Sequence, residues 1–265
     1  MQREIILKTS VEVAHIRKAS RVAEKCLRYL DGYMVPGMTT KQLDVLAAEF
    51  LSTAKADSAL RGYRGFPGSI CASVNNVAAH GIPSDTALEE GDVVSLDITV
   101  RMGGWHGDAA WTYIVGKGST ERRRLIRAAW SACLGGVKSA VAGGRIGDIG
   151  SAIHEAALKY GCSVVEDYVG HGIGRSMHED PMVLNFGEQD TGMRIVPGMV
   201  FTVEPIVSLG SPEVRVSGDG WTLAIADGSI SAQFEHTVAV FRDYSEVLTF
   251  SHGDIFTYLD FPPYL

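Results

Sequence analysis

The chain has 265 residues, 46% of them hydrophobic and 21% charged, with a net charge of -7. A chain of that length buries roughly three quarters of its unfolded surface, and this apolar content is that of an ordinary soluble globular protein. The acidic balance argues against general nucleic-acid binding, no run is apolar and long enough to span a membrane, and the first residues lack the apolar core of a signal peptide.

Ser10 followed by Glu12 marks a helix start. Val13, Ile16, Ala19, Val22, Ala23, Cys26, Leu27 and Leu30 then recur at helical spacing, which predicts an amphipathic helix to about Leu30. Pro36-Gly37 breaks it, and Thr39 with Gln42 forms a capping-box pattern before a second apolar series, Leu43 to Ala54. Short β-prone runs follow at residues 69–74, 92–101 and 109–115. The order then restarts, with helices over about 119–142 and 148–160, the second stopping at Gly161. Strands return at 164–165, 199–207, 222–226 and 234–241. The run Arg122-Arg123-Arg124 near a helix start reads as a solvated face. Cys26, Cys71, Cys133 and Cys162 are scattered and form no C-x-x-C, which suggests a reducing compartment and makes the cytoplasm the expected location.

Helix, helix, strands occurs twice, the pattern of an internal duplication. His80-Gly81-Ile82-Pro83 resembles His171-Gly172-Ile173-Gly174, and the run from Gly91 to Ile98 lies over Gly198 to Pro205 without a gap, setting Asp97 on Glu204. Each is followed by another acid that opens a β-prone run, Asp108 in the first half and Glu235 in the second. The glycines beside His171 suggest an imidazole presented from a tight turn, either a polar loop or a ligand site together with His178.

Four acids in β-prone surroundings need a reason, because burying an ionised carboxylate costs several kcal/mol unless a partner offsets it. A four-residue loop, Arg101-Met102-Gly103-Gly104, would make residues 97 to 108 a hairpin with Asp97 directly opposite Asp108. Either acid alone can pair with an arginine. Only Arg194 and Arg215 lie near the second-half strands, and neither has a first-half counterpart. Four carboxylates balance two divalent cations in charge, and oxygen-rich ligation with one imidazole suits Mn, Fe, Co or Zn.

Residues 75–83, Asp97 with Gly107-Asp108-Ala109-Ala110, residues 170–181, Val203-Glu204-Pro205 and residues 231–237 resemble the blocks of type I methionine aminopeptidases. The likeness runs from about residue 4 to 250. It implies an α/β pita-bread fold, two pseudo-twofold-related halves around a curved antiparallel sheet. Residues 1–265 would then be one catalytic domain with halves at about 10–117 and 118–250. It further implies Asp97, Asp108, His171, Glu204 and Glu235 as ligands of two divalent metal ions, with Asp108 and Glu235 bridging. A hydroxide generated between the metals would attack the first peptide bond, with Glu204 as general base. His178 would polarise the scissile carbonyl and His80 would contact the substrate backbone. Tyr63, Phe66, Cys71, Met177 and Trp221 match the methionine side-chain pocket.

Met177 departs from the aromatic residue usual before that histidine, and Asn76 and Ala79 depart from the usual acid and cysteine. The resemblance implies the N-terminal methionine of peptides and nascent chains as substrate, a monomer, possible ribosome proximity, and no nucleic-acid or membrane binding. No N-terminal extension with zinc-finger cysteines is expected. The alternatives are a proline-specific relative, prolidase or aminopeptidase P, and a non-catalytic binding protein on the same fold. The tail after Ser251 suggests no function.

Overall fold

A computed structural model describes residues 5–259 and 262. The parts of the N-terminal and tail readings that fall on residues 1–4, 260, 261 and 263–265 lie outside the described residues. In chain order the helices are α1 (Ser10–Asp31), α2 (Thr40–Thr53), α3 (Thr120–Ser139) and α4 (Ile146–Leu158). The first-half strands are β1 (Asp57–Ser58), β2 (Cys71–Val74), β3 (Val77–Ala79), β4 (Val93–Met102) and β5 (Trp105–Ile114). After α4 come β6 (Ser163–Val164), β7 (Gly170–Gly172), β8 (Glu179–Val183), β9 (Val200–Val203) and β10 (Ile206–Ser208). The last are β11 (Val214–Val216), β12 (Leu223–Ile225), β13 (Ser231–Gln233), β14 (Glu235–Val240) and β15 (Ser245–Val247).

Both N-terminal helices begin where side chains satisfy free backbone donors. Thr9 caps α1 in a capping box with Glu12, one residue earlier than the Ser10 start, and Thr39 with Gln42 caps α2 as expected. The apolar stripe of α1, including Ile16, Ala19, Ala23 and Leu27, is fully buried and packs on β4 and β5. Helix α3 packs on α4 and on strands β9, β10, β13 and β14. The main sheet has nine strands, ordered β1-β4-β5-β14-β9-β7-β8, with β2 also on β4 and β15 on β14, and every pairing is antiparallel.

Strand β14 is the seam. Its first residues pair with β5, Glu235 with Ala110 and His236 with Ala109, while His236 to Ala239 pair with β9. Beyond the β5 pairs, the Thr237 hydroxyl takes over the ladder: it accepts the Asp108 N–H at 3.1 Å and donates to the Asp108 carbonyl at 2.8 Å.

Three expectations are corrected. The β4–β5 turn has two residues between its last pair, Gly103 and Gly104, at φ 60° and 77°, because Arg101 and Met102 pair with His106 and Trp105. Asp97 therefore faces Ala110 and Asp108 faces Thr99, so the two acids are diagonal neighbours, and Asp108 lies inside β5 rather than opening it. The run 199–207 is two strands, β9 and β10, with Glu204-Pro205 between them, because proline has no N–H to continue a ladder. His171 is not on a tight turn; it sits in β7, and its glycines serve close approach. A Cβ on Gly170 would collide with the Thr202 carbonyl, and one on Gly172 with the Asp180 carbonyl.

Candidate active site

Cys71 faces Asp97, Asp97 faces Ala110 and Ala110 faces Glu235, a row crossing β2, β4, β5 and β14. Directly paired residues share a face, so two carboxylates flank the small side chain of Ala110. Two residues along, Thr99 faces Asp108, and its hydroxyl donates to that carboxylate, 2.9 Å from either oxygen. Glu204 follows the end of β9, where the Thr202 hydroxyl donates to its Oε1 at 2.5 Å and accepts the His171 N–H at 2.9 Å.

The Nδ1 of His171 lies 2.9 Å from the Gly172 carbonyl, which can only accept, so Nδ1 carries the proton and Nε2 presents a lone pair. That lone pair faces Glu204 Oε1 at 3.5 Å and Asp108 Oδ2 at 3.9 Å. Asp108, His171 and Glu235 each offer a ligand atom within 4.8 Å of the others. Asp97 and Glu204 stand outside that tightest trio and line the same cavity.

Burial and mutual repulsion hold the carboxyls of Asp97, Glu204 and Glu235 well above the usual carboxylate range, and burial pushes Asp108 up to about 6. Burial drives His171 down to about 3, so its imidazole is neutral at physiological pH. Among the described residues the only Lys or Arg lining this cavity is Arg64. One carboxylate oxygen, Glu235 Oε1, is buried without a hydrogen-bond partner. A hard-oxygen set with one nitrogen, an orphaned acceptor and a small alanine in its middle is chemically fitted to divalent cations.

The cavity measures about 360 Å³, and every site residue expected from the sequence lines it. Its apolar wall sets Phe66 edge-on to Trp221, ring centroids 5.1 Å apart, with Cys71 and Met177 buried beside them. Burial pushes the Cys71 thiol well up, the state of a wall rather than of a nucleophile. His80 presents its ring to Tyr168 and Trp221 from a left-handed backbone at φ 54°, a strained conformation of the kind that gathers at functional sites. The Tyr63 hydroxyl lies 3.0 Å from His178 Nδ1, and the His178 ring stands 4.4 Å from that of His171. Burial lowers the pKa of His178 as well, which favours its neutral form.

The segment carrying His178 is held from beneath. His106 donates its backbone N–H to the Gly174 carbonyl at 2.9 Å, and Arg175 lies 4.0 Å from the Trp105 ring centroid. Lys8 and Glu179 form an ion pair at 2.5 Å with side chains only 2% and 6% exposed. Lys8 Nζ also donates to the Ile6 carbonyl, and Glu179 Oε1 accepts the Ser176 N–H at 3.1 Å.

Sequence reasoning missed Thr99, Thr202 and Thr237, the polar role of Tyr63, and Arg64. For two of them a signal existed. Thr99 lies two residues after Asp97 and Thr202 two before Glu204, which on a strand means the same face. All four cysteines are free and buried, and no helix among the described residues is long and apolar enough to cross a membrane.

Residues 14–241 match the sequence profile of metallopeptidase family M24. The methionine aminopeptidase of Clostridium perfringens (strain 13 / Type A) is 43% identical over 245 residues, 92% of this chain and 98% of that protein. That of Rickettsia prowazekii (strain Madrid E) is 41% identical over 261 residues, 98% of this chain and 99% of that protein. The Rickettsia prowazekii crystal structure superposes with a TM-score of 0.92 over 93% of this chain and 100% of that one. The prolidase from Pyrococcus furiosus, 21% identical, superposes at 0.74 over 93% of this chain and 66% of its own, which is a likeness of fold alone. The antiparallel sheet with its helices is accordingly the α/β pita-bread architecture expected from the sequence.

Proposed function

The chain belongs to metallopeptidase family M24, and from that premise we propose that it removes the N-terminal methionine from peptides and newly made proteins by metal-assisted hydrolysis. The observation that carries this reading is one cavity lined by four carboxylates, three histidines and an apolar wall. Asp97, Asp108, His171, Glu204 and Glu235 would hold two divalent cations, whose four positive charges four ionised carboxylates neutralise. Co, Mn, Fe and Zn all suit such donors. Bound there, the cations supply Lewis acidity and bring the pKa of a water toward neutrality.

The protein's own groups do the rest. Glu204, oriented by the Thr202 hydroxyl, accepts the proton of the attacking water and delivers it to the leaving amine. Tyr63 at Nδ1 of His178 leaves Nε2 for the scissile carbonyl, where its N–H meets the negative charge that develops. His80 contacts the substrate backbone at the scissile amide. Tyr63, Phe66, Cys71, Met177 and Trp221 receive the methionine side chain, whose flexible thioether fits an aromatic-lined slot. The same reading makes residues 1–265 one catalytic domain of two duplicated halves, a cytoplasmic monomer that meets its substrates near the ribosome.

The test uses protein stripped of metal and reloaded with Co, Mn, Fe or Zn in turn, on Met-Ala-Ser, Ala-Pro and Arg-Pro-Pro. Methionine release from the first peptide, restored by metal, is the expected result. A preference for the proline peptides overturns it in favour of a prolidase. Absence of bound metal, with no activity lost in Asp97→Ala and Glu204→Ala, overturns it in favour of a binding protein.

A further inference from the structure

The charges around the cavity are arranged by depth. All four carboxylates are buried or half-buried inside it, whereas Arg64, the single guanidinium lining it among the described residues, is exposed at its mouth. Met182, 62% exposed, also borders the opening, while Phe66 and Cys71, each 2% exposed, form the closed apolar wall. A methionine side chain against that wall leaves the remainder of the peptide to exit past the exposed residues.

Arg64 is fixed in place by its backbone and by an aromatic face. It sits in the turn Tyr63–Gly65 at φ 48° and ψ 28°, left-handed for a residue with a side chain, a conformation that persists only where the surroundings impose it. Its Cζ lies 5.4 Å from the Tyr63 ring centroid, and the hydroxyl of the same ring bonds His178 at 3.0 Å. Among the described residues Arg64 forms no salt bridge, so its charge is uncommitted on the protein. An extended peptide advances roughly 3.3–3.6 Å per residue, so an exposed guanidinium packed on the ring that bonds His178 is within reach of the second or third residue of a peptide leaving the cavity.

We propose that Arg64 is a specificity-determining residue that favours substrates with an acidic residue just downstream of the scissile bond and disfavours basic ones. This rests on the methionine-removal reading above and adds a preference to it. An exposed ion pair is weak and screened by salt, so attraction of Glu and repulsion of Lys together give roughly a three- to tenfold difference.

The experiment compares kcat/KM on Met-Ala-Glu and Met-Ala-Lys for metal-loaded wild-type protein, Arg64→Lys, Arg64→Gln and Arg64→Glu, at low and high salt. The ratio within each protein is the readout, because a substitution that disturbs Tyr63 lowers both rates together. The expected ratio favours Glu in the wild type and in Arg64→Lys, falls to near one in Arg64→Gln, inverts in Arg64→Glu, and shrinks toward one with salt. Equal cleavage by an active wild type, or a Glu preference that survives Arg64→Glu, overturns the inference and leaves methionine removal standing. Release of methionine from neither peptide overturns both.

Discussion

Replacing Lys8 by Met keeps the apolar stem and deletes the ammonium that neutralises Glu179. Both side chains are nearly sealed from water, and with the ammonium gone Glu179 retains only the Ser176 N–H. Breaking a buried pair from one side costs about 3–5 kcal/mol, because an uncompensated charge is left behind. That is at least about a fifth of the roughly 5–15 kcal/mol that holds a typical domain together. At an m-value of about 3 kcal/mol/M the urea midpoint falls by roughly 1–1.7 M. Adding Glu179→Gln removes the stranded charge and keeps an acceptor for Ser176, so the double variant is more stable than Lys8→Met alone. The assay is urea unfolding followed by tryptophan fluorescence and circular dichroism at matched metal content. A loss below about 0.5 kcal/mol in Lys8→Met, the range of ordinary surface changes, refutes the claim that the pair is buried and structural. A double variant no more stable than the single one refutes the charge argument.

Ala110→Leu fills the space between Asp97 and Glu235; overpacking costs about 1–3 kcal/mol, whereas metal affinity, measured by calorimetry, falls by about 10- to 100-fold. Retained affinity refutes the placement of the row. In the cation-free protein burial pushes Asp108 up to about 6 and burial with mutual repulsion holds Asp97, Glu204 and Glu235 well above the usual carboxylate range, against about 4 for unfolded carboxyls. The contribution of Asp108 to cation-free stability is thus present below about pH 4 and lost as pH rises through about 6, and that of the other three is likewise lost with rising pH. A cation must expel their protons, so affinity weakens as pH falls through about 6 and binding releases protons, while His171, neutral down to about 3, adds no competing proton. Calorimetry in buffers of different ionisation enthalpy measures this; heats independent of the buffer near neutral pH refute it.

The helices and the ligand-type residues were legible because their signals are local: capping boxes, helical spacing, and acids set among β-branched residues. Register was not. Whether Asp97 faces Asp108 or Ala110 depends on Gly103 and Gly104 alone making the turn, and two misassigned loop residues turned a diagonal pair into a direct one. The glycines around His171 were visible, but glycine permits both a turn and a tight strand, and only the neighbouring carbonyls of Thr202 and Asp180 decide between them. Tyr63 meets His178, and Lys8 meets Glu179, across long stretches of chain with no periodicity to report the contact.

Strand β14 lies in the middle of the main sheet but near the end of the chain. Until it inserts, β5 and β9 present facing unpaired edges, and most of the protein has already been synthesised by then. Pairings this distant in sequence are slow to form, and open strand edges are what other chains add to. The two sides of the main sheet are therefore joined by a strand that is made late. The residue that opens it is Glu235, so the strand that joins β5 to β9 also brings the last carboxylate to the cavity, and no chain shorter than 235 residues has the complete set.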